Sequence, residues 1–321
     1  MTPFWISSFL LLLIGTGNAI SAQSPQANII KDTTPYIAAS SWPDRIIITP
    51  TKSPATSLSV TWRSDQSVTS SQAQIVQASP DARYDIHATT IEANTHATSL
   101  RQGKNNQGSF RYPANAQLSA VNYHSVTFKG LQADTLYNYR VNGAENQWSP
   151  WQQIKTAAQK TNSDIEFLYF GDAQNGIYSH WPLVLRKAWQ QASNAEFAIY
   201  AGDLVNEGAS DHQWSNWLNA GQFIHSMLPA ILVPGNHEYD WQVDKNEQRK
   251  WALSTLWQDQ FTLPLTPTLP IELQETVYVT RYPDLDIFVL NSEALGSIAL
   301  LQAQAQWLDE TLQNSSAKWR I

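Results

Sequence analysis

The stretch LVPGNHEYDW, residues 232–241, decides how the second half of this sequence should fold. An apolar run typical of a buried strand ends at Gly235 and is followed at once by Asn236, His237 and Glu238. Such side chains bind metal ions or move protons, and α/β proteins place them where strands end. The sequence should therefore contain further strands of the same sheet with polar residues at their ends.

Two earlier segments repeat this pattern. IEFLYFGD ends in Asp172 and EFAIYAGD ends in Asp203, and helical segments separate the three strands. A spacing of about 30 residues is that of a βαβ unit, so the strands should be parallel and carry Asp172, Asp203 and Asn236 to one edge. Each Asp could instead cap the following helix. Because converging carboxylates cannot all stay ionised cheaply without a cation, the pattern indicates a pair of metal ions.

The first half of the sequence is strand-like. Short runs rich in β-branched and aromatic residues alternate with turn formers, which predicts an all-β sandwich at residues 42–157. In one run, SLSVTW at residues 57–62, apolar and hydroxyl side chains alternate, which predicts one buried and one solvent-exposed face. Residues 158–163 read as a linker to a second, α/β domain at residues 164–321.

The N-terminus and the composition limit where the protein works. Residues 1–22 hold a short apolar core followed by small residues, as in a signal peptide, so we expect a secreted or periplasmic protein with no stable membrane span after cleavage. Residues 23–41 read as a flexible leader. With a net charge of -7 and no cluster of Lys or Arg, the chain should act on small molecules and not on a nucleic acid duplex.

The segments GDAQ, GDLVNEG and PGNHEY, in this order, resemble the first three motifs of the calcineurin-like metallophosphoesterase superfamily. The domain in front resembles the fibronectin type III-like N-terminal domain of purple acid phosphatases. This resemblance implies an αββα sandwich and two divalent or trivalent metal ions, which are Fe, Mn, Zn or Mg. It implies that Asp172 binds the first metal, Asp203 bridges both and Asn236 binds the second. It also implies that His237 is the catalytic residue and contacts the substrate phosphate.

The sequence departs from that family at several positions. Purple acid phosphatases have a Tyr where this chain has Asn206, so we do not expect a purple Fe(III) enzyme. Gln174 stands where many members have a His. If its side-chain carbonyl is a metal ligand, the site would favour Mn or Mg; alternatively, Gln174 only begins a helix and binds no metal. His180, which opens that helix, is a candidate substrate-binding residue. No His follows His237, so the C-terminal histidine ligands are missing and we expect a truncated domain.

The expected function is hydrolysis of phosphate esters, chiefly phosphomonoesters, by a hydroxide bound to a dinuclear metal site, with this chain an inactive fragment of the enzyme. The alternative is a secreted binding or adhesion protein whose phosphoesterase domain has lost catalysis. Among the other polar residues, Asp211 is expected to be a charge at a helix N-terminus and His225 a cation near a helix end. Glu238 and Tyr239 follow the turn and could position His237 through its other ring nitrogen.

Overall fold

The computed structural model describes residues 37–81, 83–98, 120–160, 164–243 and 248–321. The predicted signal peptide, residues 23–36 of the predicted leader and residues 161–163 of the predicted linker lie outside these ranges. No helix within the described ranges is long and apolar enough to cross a membrane.

The first half of the described chain forms two four-stranded antiparallel sheets. Its elements are β1 (Asp44–Pro50), β2 (Ser57–Asp65), β3 (Gln72–Gln77), α1 (Tyr84–His87), β4 (Thr89–Glu92), β5 (Asn94–Thr98), β6 (Val121–Lys129), β7 (Leu136–Val141) and β8 (Gln152–Lys155). The strand orders are β1-β2-β6-β5 and β4-β3-β7-β8. Leu58, Val60 and Trp62 of β2 are buried between the sheets with Phe128 and Tyr139. The predicted β-sandwich is confirmed.

The opposite face of β2 is also buried, so the predicted solvent-exposed face is wrong. Ser59 and Thr61 are only 3% and 2% exposed, because this face packs against the second half of the chain. The Thr61 hydroxyl lies 2.8 Å from the Thr262 hydroxyl, and the Thr49 hydroxyl donates a hydrogen bond to the Thr262 carbonyl at 2.5 Å. Polar side chains can be buried here because they find hydrogen-bond partners across the interface.

The second half alternates strands and helices. Its elements are β9 (Leu168–Phe170), α2 (Trp181–Gln191), β10 (Ala198–Ala201), α3 (Asp211–Ala220), α4 (Gln222–His225), β11 (Ala230–Val233), β12 (Tyr239–Val243), β13 (Arg249–Leu253), α5 (Thr255–Gln260), β14 (Tyr278–Tyr282), β15 (Leu285–Val289), α6 (Ile298–Gln313) and β16 (Trp319–Arg320). A parallel sheet has the order β11-β10-β9, and β14, β15 and β16 form a second sheet. Buried side chains of both sheets share one core with Trp181, Trp214 and Trp217 of the helices. The predicted α/β architecture is confirmed.

A cluster of buried charges joins the two halves of the chain. Arg45 of β1 donates two hydrogen bonds to the Asp211 carboxylate, at 2.6 and 2.9 Å, and Arg63 of β2 donates a third at 3.3 Å. Arg63 also forms an ion pair with Asp44. Asp211 does lie in the first turn of α3, as expected, but it is only 5% exposed. Its main contacts are therefore with the two guanidinium groups of the β-sandwich.

His225, the last residue of α4, is a buried neutral side chain and not a cation. Its ring stacks on Trp217 with 4.4 Å between ring centroids, and its Nε2 lies 3.2 Å from the Tyr200 hydroxyl. Burial lowers the pKa of His225 to about 4. The expectation of a helix-end cation is wrong because the cost of desolvating a charge here exceeds the benefit of the helix dipole.

Candidate functional site

The exits of the three parallel strands contact one another, as the sequence predicts. The N–H of Asp172 donates a hydrogen bond to the Gly202 carbonyl at 3.4 Å. The N–H of His237 donates to Oδ1 of Asp203 at 3.1 Å. These contacts bring Asp172, Asp203 and Asn236, the strand-end residues, to one edge of the sheet.

Both aspartates lie on unusual backbone. Asp172 and Asp203 have φ values of 53° and 52°, in the left-handed region that side chains other than glycine disfavour. The neighbouring glycines have no room for a side chain. A Cβ on Gly202 would lie 2.8 Å from the Gly235 nitrogen, and a Cβ on Gly235 would lie 2.1 Å from Oδ1 of Asp203. Such strained backbone persists where the surroundings hold it, and it is concentrated at functional sites.

Glu238 holds two of the strand exits together, and the expectation that it positions His237 directly is wrong. Its buried carboxylate accepts four hydrogen bonds of 2.7 to 3.3 Å, from the peptide N–H groups of Asp203, Leu204, Val205 and Gly235. Burial raises the pKa of Glu238 to about 7, and the hydrogen bonds from the peptide groups act in the opposite direction. The side chain therefore ties the exit of β10 to the exit of β11.

A backbone carbonyl orients His237. Nδ1 of His237 lies 2.7 Å from the Asn206 carbonyl oxygen, and this contact assigns the proton of the neutral ring to Nδ1. Oε1 of Gln213 accepts hydrogen bonds from the N–H groups of Asn206 and Glu207, at 2.8 and 3.0 Å. Gln213 thereby holds the main chain at Asn206, whose carbonyl orients the His237 ring. Asn206 contributes through its backbone at the position where purple acid phosphatases have a Tyr.

The sequence alone does not identify Gln213 as part of the site, although a signal is present. Ser210 and Gln213 have the S-x-x-Q spacing of a capping box. Ser210 does cap α3, but the Gln213 side chain contacts the Asn206 loop and not the cap backbone. The hairpin of β12 and β13 also escapes sequence reasoning, because it contains no Asn-Gly or Asp-Gly turn signal.

The remaining predicted site residues are Gln174 and His180. Oε1 of Gln174, two residues after Asp172, is buried and has no hydrogen-bond partner, which suits a ligand of a cation. His180 directly precedes α2, where its exposed ring contacts the Ser179 hydroxyl at 2.7 Å through Nδ1. Within the described ranges, no hydrogen bond links His180 to the strand-end residues.

The strand-end residues and Gln174 offer only oxygen ligands, two carboxylates and two amides. Oxygen ligands suit Mg or Mn better than softer metals. Among the residues that the structure describes, no group of three or more His, Asp or Glu side chains is placed to hold a metal ion. The residues present therefore fit part of the ligand shell of an oxygen-preferring cation.

Two family profiles match the sequence. Residues 43–156 match the purple acid phosphatase N-terminal domain, and residues 165–314 match the calcineurin-like phosphoesterase family. No curated protein matches the chain. The resemblance seen in the sequence motifs is thereby confirmed at the level of both domains, and the family implies the use of metal ions.

Two solved structures share the fold. The purple acid phosphatase PPD1 from yellow lupin (Lupinus luteus) seeds is similar over 87% of this chain and 50% of its own, with 16% identity and a TM-score of 0.63. PhoD is similar over 89% of this chain and 62% of its own, with 13% identity and a TM-score of 0.55. This chain thus spans 50% and 62% of the lengths of these two proteins.

Proposed function

The chain joins a purple acid phosphatase N-terminal domain to a calcineurin-like phosphoesterase domain, and from this premise we propose that the protein hydrolyses phosphate esters, chiefly phosphomonoesters. The observation that carries the proposal is the convergence of Asp172, Asp203 and Asn236 at one edge of the sheet. The preference for monoesters is supported by the match of the first domain to acid phosphatases.

We assign two divalent or trivalent metal ions to the strand-end residues. Asp172 would hold one ion and Asn236 the other, and Asp203, which follows the central strand β10, would serve both. Gln174 would add its buried Oε1 to the first ion. When bound, the metals supply the positive charge that activates a water and neutralises the phosphate oxygens. Asn206 lacks the phenolate of a purple enzyme, so Mn or Mg is favoured over Fe(III).

His237 acts on the phosphate and on the leaving group. Because the Nδ1–H donates a hydrogen bond to the Asn206 carbonyl, Nε2 is the ring nitrogen left to bind a phosphate oxygen and to deliver a proton to the departing alkoxide. The contacts of Gln213 and Glu238 hold this loop in place before the substrate binds. A preorganised ring needs no rearrangement during the reaction.

The proposed place of action is the periplasm or the outside of the cell, because residues 1–22 have the pattern of a signal peptide. A second class of function is a secreted binding or adhesion protein with the same fold. It is favoured by the finding that the described residues contain no group of three or more His, Asp or Glu side chains placed for a metal. Metal-dependent turnover separates the two classes.

The test is Asp203→Asn in the full-length protein. The change removes the shared charge but keeps an oxygen for the His237 N–H, so hydrolysis of a phosphomonoester should fall by at least about a hundredfold. Bound metal, measured by elemental analysis, should fall with it. Asp85→Asn, on the exposed surface of the β-sandwich, is the control that keeps both. Retained hydrolysis in Asp203→Asn would sink the proposal, and a wild type without turnover favours the binding protein.

A further inference from the structure

A β-hairpin extends from the turn that carries Asn236 and His237. β12 begins at Tyr239, directly after this turn, and β13 leads back to Ser254, whose N–H donates a hydrogen bond to the Glu238 carbonyl at 2.9 Å. Both ends of the hairpin are thus attached to the candidate site. The hairpin therefore borders the strand-end residues.

One face of this hairpin is aromatic. Tyr239 and Trp241 alternate along β12, and Trp251 pairs directly with Trp241. The Trp251 ring lies 5.5 Å from that of Trp241 and 6.2 Å from that of Tyr239, to which it is inclined by only 22°. Nδ2 of Asn291 donates a hydrogen bond to the Tyr239 hydroxyl at 2.6 Å. The row of rings is thus fixed at Tyr239, which follows His237 by two residues.

The two indoles of this row remain accessible. Trp241 is 47% exposed and Trp251 is 38% exposed. Cross-strand pairing of aromatic rings stabilises a hairpin, but it does not explain why these rings are exposed to solvent. Exposed apolar surface commonly marks a binding site. Because Trp241 follows His237 by four residues, the two Cα atoms are at most about 14 Å apart. A ligand whose phosphate lies at His237 can therefore place a flat ring against the indoles across a sugar-sized spacer.

We propose that Trp241 and Trp251 stack on the heteroaromatic base of a nucleoside monophosphate, which makes such nucleotides the preferred substrates. The inference rests on the proposed phosphoesterase function and names its substrate class. Stacking on an aromatic side chain tolerates any base, because every base has a π-face. The net charge of -7 and the lack of a basic cluster favour a mononucleotide over a polynucleotide.

Two substrates separate stacking from chemistry. Adenosine 5'-monophosphate and ribose 5-phosphate lose phosphate from the same 5'-oxygen, but only the first carries a base. The full-length protein, loaded with its metal, should hydrolyse the nucleotide with a kcat/KM at least about tenfold higher. Trp241→Leu and Trp251→Leu keep apolar bulk in the hairpin and should abolish this advantage by raising KM for the nucleotide alone.

Trp319→Ala is the matched control. It also removes an exposed indole, but β16 pairs with the first residues of β15, at the end remote from Asn291. This variant should keep the advantage of the nucleotide. Equal kcat/KM for both esters in the wild type, or an advantage that survives both Leu variants, overturns the inference and leaves the phosphoesterase function standing.

If neither ester is hydrolysed, the proposed function fails and the substrate preference fails with it, and a binding measurement then decides whether the two indoles stack on a base. Adenosine 5'-monophosphate is added to the ¹⁵N-labelled protein with Mg²⁺, and the indole N–H resonances are followed by NMR. Those of Trp241 and Trp251 should shift and that of Trp319 should not. Unshifted resonances of the hairpin indoles overturn the inference.

Discussion

Asp211 and Glu238 are both buried carboxylates, yet the protein stabilises them differently. Asp211 receives hydrogen bonds from Arg45 and Arg63, so two positive charges compensate it. Glu238 receives hydrogen bonds from four peptide N–H groups, and no cationic side chain among the described residues pairs with it. The first carboxylate connects two domains, and the second connects two loops of one domain.

The difference follows from what each connection needs. Long guanidinium side chains reach from the β-sandwich to α3, and their charge offsets the desolvation of a carboxylate between domains. Peptide N–H groups cannot reach from one domain to the other as a long side chain does. A hydrogen bond to a peptide N–H does fix the position of the main chain, and the residues that follow β10 and β11 need this. His225 shows a third solution, since it is buried without compensating charge and loses its own.

The largest expected effect comes from Asp211→Asn. The change leaves the buried Arg45 guanidinium without a carboxylate, while Arg63 keeps its ion pair with Asp44, so the free energy of unfolding should fall by about 3 kcal/mol. Urea unfolding measures it. Asp85→Asn, which breaks the exposed ion pair with Arg83, is the matched control and should cause no measurable change.

A double variant sharpens this test. Arg45→Met and Asp211→Leu together replace the buried pair with apolar side chains and leave Arg63 paired with Asp44, which should restore most of the lost stability. If Asp211→Asn alone is as stable as the wild type, the ion cluster does not hold the domains together and the comparison with Glu238 fails.

Glu238→Gln should have the next largest effect. The new amide group faces peptide N–H donors, which leaves buried donors unsatisfied and costs about 2 to 3 kcal/mol of unfolding free energy. Hydrolysis of phosphomonoesters should fall as well, because Asp203 and Gly235 lose their common anchor. Glu145→Gln, on an exposed turn, is the control. A variant with full stability and activity would show that Glu238 does not align the loops.

Acid should destabilise the protein through His225. The pKa of this side chain is about 4 in the folded protein, against 6.5 for an unperturbed histidine, so the unfolded chain binds the proton more tightly. Its contribution to stability is complete above pH 6.5 and is lost as the pH falls toward 4, with a loss of about 2 kcal/mol between pH 7 and pH 5. Urea unfolding measures the free energy of unfolding at pH 7 and at pH 5. The difference between the two values should be smaller in His225→Gln than in the wild type by about 2 kcal/mol. An unchanged difference would contradict a buried neutral imidazole.

The smallest expected effect concerns the cap of α3. Ser210 accepts a hydrogen bond from the Gln213 N–H, and Ser210→Ala should cost about 1 kcal/mol. Ser297 caps α6 in the same way, through the Leu300 N–H, so Ser297→Ala is the matched comparison. A much larger loss for Ser210→Ala in thermal unfolding would show that the cap and the ion cluster act as one unit.

The layout of the candidate site is predictable from the sequence because it depends on local order. A strand, a glycine and a polar residue recur at βαβ spacing, and this pattern suffices to bring Asp172, Asp203 and Asn236 to one edge. The environment of Asp211 is not predictable, because its partners Arg45 and Arg63 lie 166 and 148 residues away. The alternation in β2 likewise gives no sign that Thr61 meets Thr262.

The supporting contacts of the site escape sequence reasoning for a related reason. Gln213 and Glu238 act on main-chain groups, and the position of a peptide N–H leaves no mark on residue identity. The aromatic hairpin is not predictable for a different reason. Trp241 and Trp251 belong to two segments, and no turn signal in the sequence indicates that these segments pair. Residues that act through the backbone or across a pairing therefore require the structure.

The ion cluster also affects how the protein is made. Arg45 and Arg63 are synthesised well before Asp211, and at about 5 to 20 residues per second the β-sandwich lacks this carboxylate for roughly ten to thirty seconds. During that interval Arg63 has Asp44 of its own domain as an ion-pair partner, whereas the carboxylate that pairs with Arg45 has not yet been made. The contact that joins the finished domains therefore forms only after most of the chain between its partners has been synthesised.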